Sequence, residues 1–302
     1  GEEAPSTEVP ATRGLHEVFR LLQQAFGIDF SFYKPNTVVR RVERRLHIAR
    51  ATDLDTYVEK LRADRDELDA LYRDLLIGVT RFFRDDEAFD LLAGTYIPEL
   101  LARTGGDEVR VWVPGCATGE EAYSIAMLFH EQMSMRRDGR RLKVFATDVH
   151  QGSLDFACRG LYAEESIARV SPARLDRYFE RQGRVAQVSA ELRQTIVFAR
   201  HNVIRDAPFT RVDLVSCRNL LIYLHPLAQK KVLGLFQFAL KHHGVLFLGP
   251  SENPGALADD FEALSSHWRI YRKHRDHRVV FDGKLAAPRS IDLRRSEERR
   301  VG

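Results

Sequence analysis

The sequence predicts an α/β fold: a Rossmann-like, mostly parallel sheet that follows an N-terminal all-helical domain and carries a small antiparallel β insertion. Two observations lead to this prediction. Up to about residue 76 the apolar pattern is helical, with breaks near 33–35, 51–53 and 63–64. After the turn at Gly105-Gly106, strand-like runs alternate with helical stretches, which is typical of a doubly wound parallel sheet.

These patterns divide the chain into segments. We expect a helical domain over 11–84, a linking helix over 85–104, a sheet domain over 105–275 with an inserted subdomain at 161–199, and a polar tail or linker over 276–302. The predicted strands of the sheet cover 109–113, 142–146, 212–216, 245–248 and, at its edge, 268–272. A helix is predicted over 226–242.

Composition excludes several classes of protein. A net charge of +3 over 302 residues gives no global basic field of the kind that marks nucleic-acid binders. The three cysteines have no C-x-x-C spacing and the histidines no metal-ligand spacing, so we expect neither a disulfide framework nor a bound metal. No apolar run approaches about 18 residues, so membrane insertion is not expected and a cytoplasmic location is predicted.

The first stretch that carries chemistry is the turn from Gly115 to Gly119, between a strand and a helix. Its spacing departs from G-x-G-x-x-G, and Glu120 and Glu121 would repel a pyrophosphate at the helix N-terminus. A cationic ligand would instead benefit from a carboxylate here, although both glutamates are also ordinary first-turn residues that favour the helix dipole. A Rossmann dehydrogenase is therefore a disfavoured alternative.

Two further stretches place polar side chains where strand-like runs end, and another lies outside the predicted sheet domain. Asp148 follows the second strand, where an acid can accept both ribose hydroxyls of an adenosine, or else act as the N-cap of the next helix. Arg218 and Asn219 follow a later strand. In the segment 80–85, adjacent phenylalanines between Arg81 and Arg84 indicate a hydrophobic anchor that holds a cation able to fork onto a carboxylate.

The helix after Pro35 is locally basic. Its predicted apolar stripe consists of Val39, Val42, Leu46 and Ala49. This leaves four arginines on the remaining surface, namely Arg40, Arg41, Arg44 and Arg45. They form either a solvated helix face or a surface for an acidic partner.

Together these stretches resemble the CheR-type protein-glutamate methyltransferases. The shared motifs, in order, are T-x-F-F-R at 80–84, G-C-A-T-G-E-E-A-Y-S at 115–124, A-T-D at 146–148, H-N at 201–202 and C-R-N-L-L-I-Y at 217–223. The chain departs from the family pattern at Gly78, where Asn is common, and at Ala122, where Pro is common.

The resemblance implies a class I methyltransferase sheet and methyl transfer from S-adenosylmethionine to glutamate carboxylates of a chemoreceptor-like protein, with S-adenosylhomocysteine as product. The implied catalytic residues are Arg84 and Tyr223. The implied cofactor-binding residues are Thr80, Arg84, Gly115, Ala117, Glu121, Asp148, Asn202, Val203, Arg218 and Asn219. The four arginines 40, 41, 44 and 45 would face the receptor.

Two expectations qualify this resemblance. The sequence around Gly183 lacks the glycine-rich loop with which some family members grip a pentapeptide at receptor C-termini, so no such tether is expected. Other stretches look like the family's hybrid proteins, which carry further domains. A catalytically silent adaptor that binds S-adenosylmethionine in a signalling protein is the alternative function, and only Gly78 favours it.

Overall fold

A computed structural model describes residues 10–76 and 80–275 of the chain, and these fall into two compact units. The first contains 10–76 together with 223–225, and the second contains 80–222 and 226–275. Gly78 and the predicted tail at 276–302 lie outside the described residues.

The first unit is helical, as predicted, but it is shorter than the predicted domain over 11–84, because residues 80–84 belong to the second unit. Its helices are α1 (Pro10–Phe26), α2 (Pro35–Ile48), α3 (Leu54–Ala63) and α4 (Arg65–Leu75), with a 3-10 turn at Phe30–Phe32. The predicted breaks coincide with capping residues: the carboxylates of Asp53 and Asp64 accept the backbone N–H groups of Thr56 and Glu67. The segment 223–225 joins this unit through backbone hydrogen bonds, including Lys34 N to Tyr223 O at 2.8 Å.

The predicted orientation of α2 is wrong. Its buried residues are Val38 and Val42, whereas Val39 is only partly buried. Residues 38, 42 and 45 follow the i, i+4, i+7 pattern of one helix face, so Arg45 lies on the inner face. Its guanidinium is paired with the Glu67 carboxylate at 2.5 Å. The exposed basic surface of α2 therefore contains Arg40 and Arg44, with Arg41 partly exposed.

The second unit begins with a helical segment and continues as an alternating α/β domain. The helices are α5 (Asp86–Leu91), α6 (Ile97–Arg103), α7 (Glu120–Met135), α8 (Gln151–Arg159), α9 (Glu164–Ile167), α10 (Pro172–Tyr178), α11 (Ala190–Gln194) and α12 (Pro226–Ala239). A π-helical turn at Leu92–Tyr96 joins α5 to α6, and 3-10 turns lie at Leu221–Tyr223 and Gly255–Asp260.

The strands form two sheets. They are β1 (Glu108–Pro114), β2 (Arg141–Asp148), β3 (Leu161–Ala163), β4 (Phe179–Gln182), β5 (Val185–Val188), β6 (Ile196–Arg200), β7 (Val212–Cys217), β8 (Leu240–Leu248), β9 (Phe261–Ser265) and β10 (Ile270–Lys273). The larger sheet has the order β6-β2-β1-β7-β8-β10-β9, and all neighbours from β6 to β8 are parallel. The smaller antiparallel sheet has the order β3-β5-β4. The predicted fold class is confirmed.

Three details of the predicted sheet are wrong. β10 is not the edge strand, because β9 pairs with its outer side. Residues 196–199, predicted within the insertion, belong instead to β6, which lies beside β2 in the large sheet. The helix predicted over 226–242 ends at Ala239, because Leu240 already pairs with Val212 as the start of β8.

The topology brings several chain segments to one edge of the large sheet. β1, β2, β6 and β7 are parallel, so their carboxyl ends lie at the same edge. A helix follows each of β1 and β2, and the sheet is buried beneath them. Trp112, at the centre of β1, is fully buried and donates its ring N–H to Thr147 Oγ1 at 3.0 Å. Of the stretches predicted to carry the chemistry, 115–119, Asp148 and 218–219 follow these carboxyl ends, whereas 80–85 precedes β1.

Candidate active site

The loop from Gly115 to Gly119 follows β1 and opens α7. Gly115, Ala117 and Gly119 all have positive φ angles, of 67°, 47° and 95°. A Cβ atom on Gly119 would lie 2.8 Å from that of Ala157, so this position requires glycine for both conformation and space. The turn therefore keeps the loop backbone tight against α8, with the Ala117 N–H directed at the next functional side chain.

That side chain is Asp148 at the end of β2. Its two carboxylate oxygens accept the backbone N–H groups of Ala117 and His150, both at 2.9 Å. The alternative role as N-cap of α8 is wrong, because the His150 ring nitrogen caps that helix by accepting the Ser153 N–H. Burial raises the pKa of Asp148. Each oxygen can accept a further hydrogen bond, which suits the two hydroxyls of a ribose.

The two adjacent glutamates at the start of α7 differ in their surroundings. Glu120 accepts a hydrogen bond from Thr118 Oγ1 at 2.7 Å, within its own loop. Glu121 accepts one from Ser216 Oγ at 2.7 Å, which ties α7 to β7, and its other oxygen lies 3.9 Å from Arg218 Nη1. Burial raises the pKa of both glutamates. Glu121 is therefore a carboxylate held at the sheet edge.

The segment after Thr80 is anchored by its two phenylalanines. Phe82 packs edge-on against Tyr162 of β3 and Phe179 of β4, with ring centroids at 4.9 and 5.6 Å. Phe83 packs against Phe89, and its backbone N–H donates to Ser124 Oγ at 3.0 Å. Both phenylalanines are buried, as expected for a hydrophobic anchor. Thr80 and Arg84, at either end of the anchor, are only partly buried.

The Arg218 side chain holds this segment from the other side. It is 1% exposed and lies over the rings of Phe89 and Phe247, at 5.2 and 4.6 Å from their centroids. One Nη donates to the Arg84 carbonyl at 2.9 Å and the other to Asp85 Oδ2 at 2.5 Å. The guanidinium thus fixes a turn in which Asp85 has a φ of 64°.

Asn219, the next residue, has a φ of 62°. Its backbone N–H donates to the buried carboxylate of Glu252 at 3.0 Å. Its side-chain oxygen Oδ1 is buried and has no hydrogen-bond partner among the described residues. A buried amide oxygen without a partner is costly, and a bound ligand could supply the missing donor. Sequence reasoning missed Glu252, because nothing in the sequence joins it to the Asn219 loop.

Asn202 and Val203 reach the site through β6, the strand that sequence reasoning placed in the insertion. Asp148 is in register with Arg200, and the His201 N–H donates to the Asp148 carbonyl at 3.0 Å. The Asn202 side-chain oxygen accepts the Ile204 N–H at 3.0 Å, which forms a local turn. Asn202 and Val203 therefore follow β6 at the end of the strand that lies beside Asp148.

The second unit brings most of the predicted residues to one edge of its sheet. A Cβ atom on Gly115 would lie 3.1 Å from the Leu220 side chain, so the loops after β1 and β7 are also neighbours. The residues that share this edge are Arg84, Gly115, Ala117, Glu121, Asp148, Asn202, Val203, Arg218 and Asn219. Tyr223 and the arginines of α2 belong to the first unit. Among the described residues, no cluster of His, Cys, Asp and Glu could hold a metal ion.

Comparison with known protein families identifies the family of the chain. Residues 78–270 match the S-adenosylmethionine-binding domain of CheR methyltransferase, and residues 13–76 match its all-alpha domain. The chain belongs to the CheR methyltransferase family. The predicted family, enzyme class and cofactor are confirmed: the chain is an S-adenosylmethionine-dependent methyltransferase.

Curated relatives agree with this assignment. An uncharacterized 104.1 kDa protein of Rhodobacter capsulatus is 45% identical over 261 residues, which are 85% of this chain and 27% of that protein. The chemotaxis protein methyltransferase of Escherichia coli is 34% identical, over 78% of this chain and 82% of its own length. Chemotaxis protein methyltransferase 1 of Pseudomonas aeruginosa is 31% identical, over 85% and 96%. The chain thus spans about a quarter of the Rhodobacter protein and most of the two named enzymes.

Solved structures are more distant. The amino pentose methyltransferase CalS10 from Micromonospora echinaspora, solved with S-adenosylmethionine, is 16% identical, covers 60% of this chain and 54% of its own, and has a TM-score of 0.33. A likeness this weak carries no argument.

None of the helices in the described part of the chain is long and apolar enough to cross a membrane.

Proposed function

We propose that the chain transfers methyl groups from S-adenosylmethionine to glutamate side chains in the cytoplasmic methylation region of a chemoreceptor-like protein, giving glutamate methyl esters and S-adenosylhomocysteine. The observation that carries the proposal is the pair of fixed carboxylates, Asp148 and Glu121, beside a loop that offers no phosphate cradle. This set of groups suits a ligand with ribose hydroxyls and positive charge. The unpaired oxygen of Asn219 offers one further acceptor.

The acceptor needs no general base. A glutamate side chain has a pKa of about 4.3, so it is already ionised and nucleophilic at neutral pH. When bound, S-adenosylmethionine supplies a sulfonium methyl group that a carboxylate oxygen can attack in line. The protein's contribution is then to orient the acceptor and to exclude water, and orientation alone is worth about 7–11 kcal/mol in favourable cases.

Arg84 is our candidate for holding the acceptor carboxylate. Phe82 and Phe83 anchor its segment, and Arg218 holds its backbone carbonyl. A guanidinium can fork onto both oxygens of a carboxylate, which fixes the direction of attack. We propose that Tyr223 is a second positioning group, and that Thr80 and Val203 contact the cofactor.

On the protein-substrate side, we propose that Arg40, Arg41 and Arg44 attract an acidic receptor segment. Two of the three are exposed, and charges of one sign on one face accelerate encounter with an oppositely charged partner. Arg45 is excluded from this role because it pairs with Glu67. Changing the three arginines to glutamate should slow methylation at low ionic strength, whereas R136E/R137E at the end of α7 should not.

We also propose that binding does not use a pentapeptide tether. The turn between β4 and β5 contains only Gly183 and Arg184, which leaves no long loop to enclose a peptide. A pentapeptide from a receptor C-terminus, titrated by calorimetry, should release no binding heat with this chain. Saturable binding in the micromolar range would refute this part.

The deciding experiment uses tritiated S-adenosylmethionine with receptor-containing membranes. Base-labile label on the receptor is expected, because methyl esters hydrolyse in alkali whereas N-methyl groups do not. R84A should lose this label while still unfolding at the wild-type temperature. Binding of S-adenosylhomocysteine by the wild-type chain without any label on receptors would instead support the silent adaptor, and wild-type turnover by R84A would remove Arg84 from the mechanism.

A further inference from the structure

Glu252 lies just beyond the end of β8 and is one of the most buried charged residues in the second unit. The residue is 3% exposed. The carboxylate accepts backbone N–H groups from Gly249 at 2.7 Å, Asn219 at 3.0 Å and Ile222 at 3.3 Å. These donors come from two separate loops, one after β8 and one after β7. A single carboxylate therefore joins the two loops at the cofactor edge of the sheet.

The space around this carboxylate is closely filled. A Cβ atom on Gly249 would lie 2.7 Å from Glu252 Oε2 and 2.8 Å from the Asn219 backbone nitrogen. Atoms this close must shift, and the Asn219 nitrogen can shift only if the main chain moves with it. Glycine at 249 is thus what allows the carboxylate and the Asn219 N–H to meet.

The conformation that Glu252 stabilises is an unusual one. Asn219 has a φ of 62°, a region that costs most residues about 1–2 kcal/mol and that asparagine tolerates better than most. In this conformation its side-chain oxygen is buried without a partner, which adds a further cost. A loop that bears both costs needs a strong internal anchor, and hydrogen bonds to an ionised acceptor are among the strongest that a protein offers.

We propose that Glu252 is a positioning residue of the methyltransferase: its carboxylate holds the loop 218–222 so that Asn219 presents its unpaired oxygen to the bound cofactor. This inference rests on the proposed function, since it takes the loop after β7 to be part of the S-adenosylmethionine site. Glu252 itself need not touch the cofactor.

The first test is Glu252→Gln, a change that keeps the shape and removes the charge. The amide offers one acceptor oxygen in place of two, and its NH₂ group faces backbone donors. The dissociation constant for S-adenosylhomocysteine, measured by calorimetry, should rise about tenfold or more. The matched control is Glu262→Gln on β9, whose side chain is 56% exposed and pairs with Arg272. It should leave the affinity within twofold of wild type.

A double-mutant cycle separates positioning from a general loss of structure. If Glu252 acts through Asn219, then adding Glu252→Gln to Asn219→Ala should change the affinity by less than about twofold, because the group being positioned is already gone. Independent losses that multiply would overturn the proposal. Thermal unfolding of each variant identifies any that are simply unfolded.

Gly249→Ala provides a second route should the glutamine variant fail to fold. It keeps the carboxylate but displaces it from the Asn219 N–H, and it should weaken S-adenosylhomocysteine binding in the same direction. Wild-type affinity in both variants, with the wild-type chain binding normally, would refute the positioning role alone. A wild-type chain that binds no S-adenosylhomocysteine would refute the proposed function and this inference together.

Discussion

The buried guanidinium of Arg218 offers a quantitative test of how the Arg84 turn is held. Changing Arg218 to Met keeps an apolar stem between Phe89 and Phe247 but removes the ion pair with Asp85 and the bond to the Arg84 carbonyl. Removing one partner of a buried pair costs about 3–5 kcal/mol. Because the Asp85 side chain is 25% exposed and can regain water, we expect the lower end of that range.

This loss should be measurable by thermal and denaturant unfolding. About 3 kcal/mol corresponds to a fall of roughly 6–12 °C in the midpoint for a unit of this size. The matched control is Arg174→Met, since Arg174 also lies over a phenylalanine, at 4.4 Å, and pairs with Glu131. Both side chains of that pair are 21% exposed, so a loss of about 1 kcal/mol is expected.

A further variant tests the reasoning from the opposite side. In R218M/D85N neither charge remains, and asparagine tolerates the positive φ at position 85. The double variant should therefore be more stable than R218M alone, although the carboxylate has gone as well. The reasoning would be refuted if R218M destabilised no more than Arg174→Met, or if D85N added its full cost to that of R218M.

Three other outcomes are expected. Gly119→Ala should lower the free energy of unfolding by about 1–3 kcal/mol in denaturant titrations, because its Cβ would meet Ala157 at 2.8 Å and φ is 95°; unchanged stability would contradict the close packing. Tyr162→Phe, which removes the hydrogen bond to the Thr118 carbonyl, should weaken S-adenosylhomocysteine binding about fivefold in calorimetry. Equal binding would show that this hydrogen bond from the small sheet does not contribute to cofactor binding. The affinity for S-adenosylhomocysteine should be constant near neutral pH and should begin to decline at a higher pH than it would for an ordinary carboxyl group. The reason is that burial raises the pKa of Asp148, and only its ionised form accepts hydrogen bonds from the ligand through both oxygens. D148N should bind weakly at every pH between about 5 and 8, and a wild-type decline confined below about pH 4 would oppose the assignment.

The central strands of the sheet could be predicted because each is a short apolar run that ends at a polar residue. β1, β2 and β7 have this form, and their polar ends mark the candidate site. β6 and β9 could not be predicted in the same way. Buried and exposed residues do not alternate regularly along either strand. The place of each strand in the sheet depends on partners distant in the sequence, such as β2 for β6.

The end of α12 shows the same limit. The apolar pattern continues from Ala239 into Leu240 without a glycine or proline, so a longer helix and an early strand fit the residues equally well. The choice is made by pairing with Val212, which is a tertiary contact. Arg45 was misplaced for a related reason: a helix with valines at both 38 and 39 has two possible apolar stripes, and only packing against α4 selects one.

Within the site, the residues at strand ends were predictable, but the groups that hold them were not. Asp148 follows a strand directly, and its position alone indicates a ligand role. The role of Glu252 depends on N–H groups from residues 219, 222 and 249, which no local pattern relates. Likewise, a sequence cannot show that the Arg218 side chain points at residues 84 and 85, whose positions are more than a hundred residues earlier.

The hydrogen bond from Tyr162 to the loop at 115–119 limits how the small antiparallel sheet could be re-engineered. Tyr162 lies in β3, and Phe179 of β4 packs against the Phe82 anchor, so both strands support segments of the candidate site. The tip at 183–184 carries neither contact. Grafting a longer hairpin tip from another enzyme would thus leave both contacts in place, whereas exchanging the whole of 161–188 would remove the hydrogen bond to the 115–119 loop and the ring that packs against Phe82.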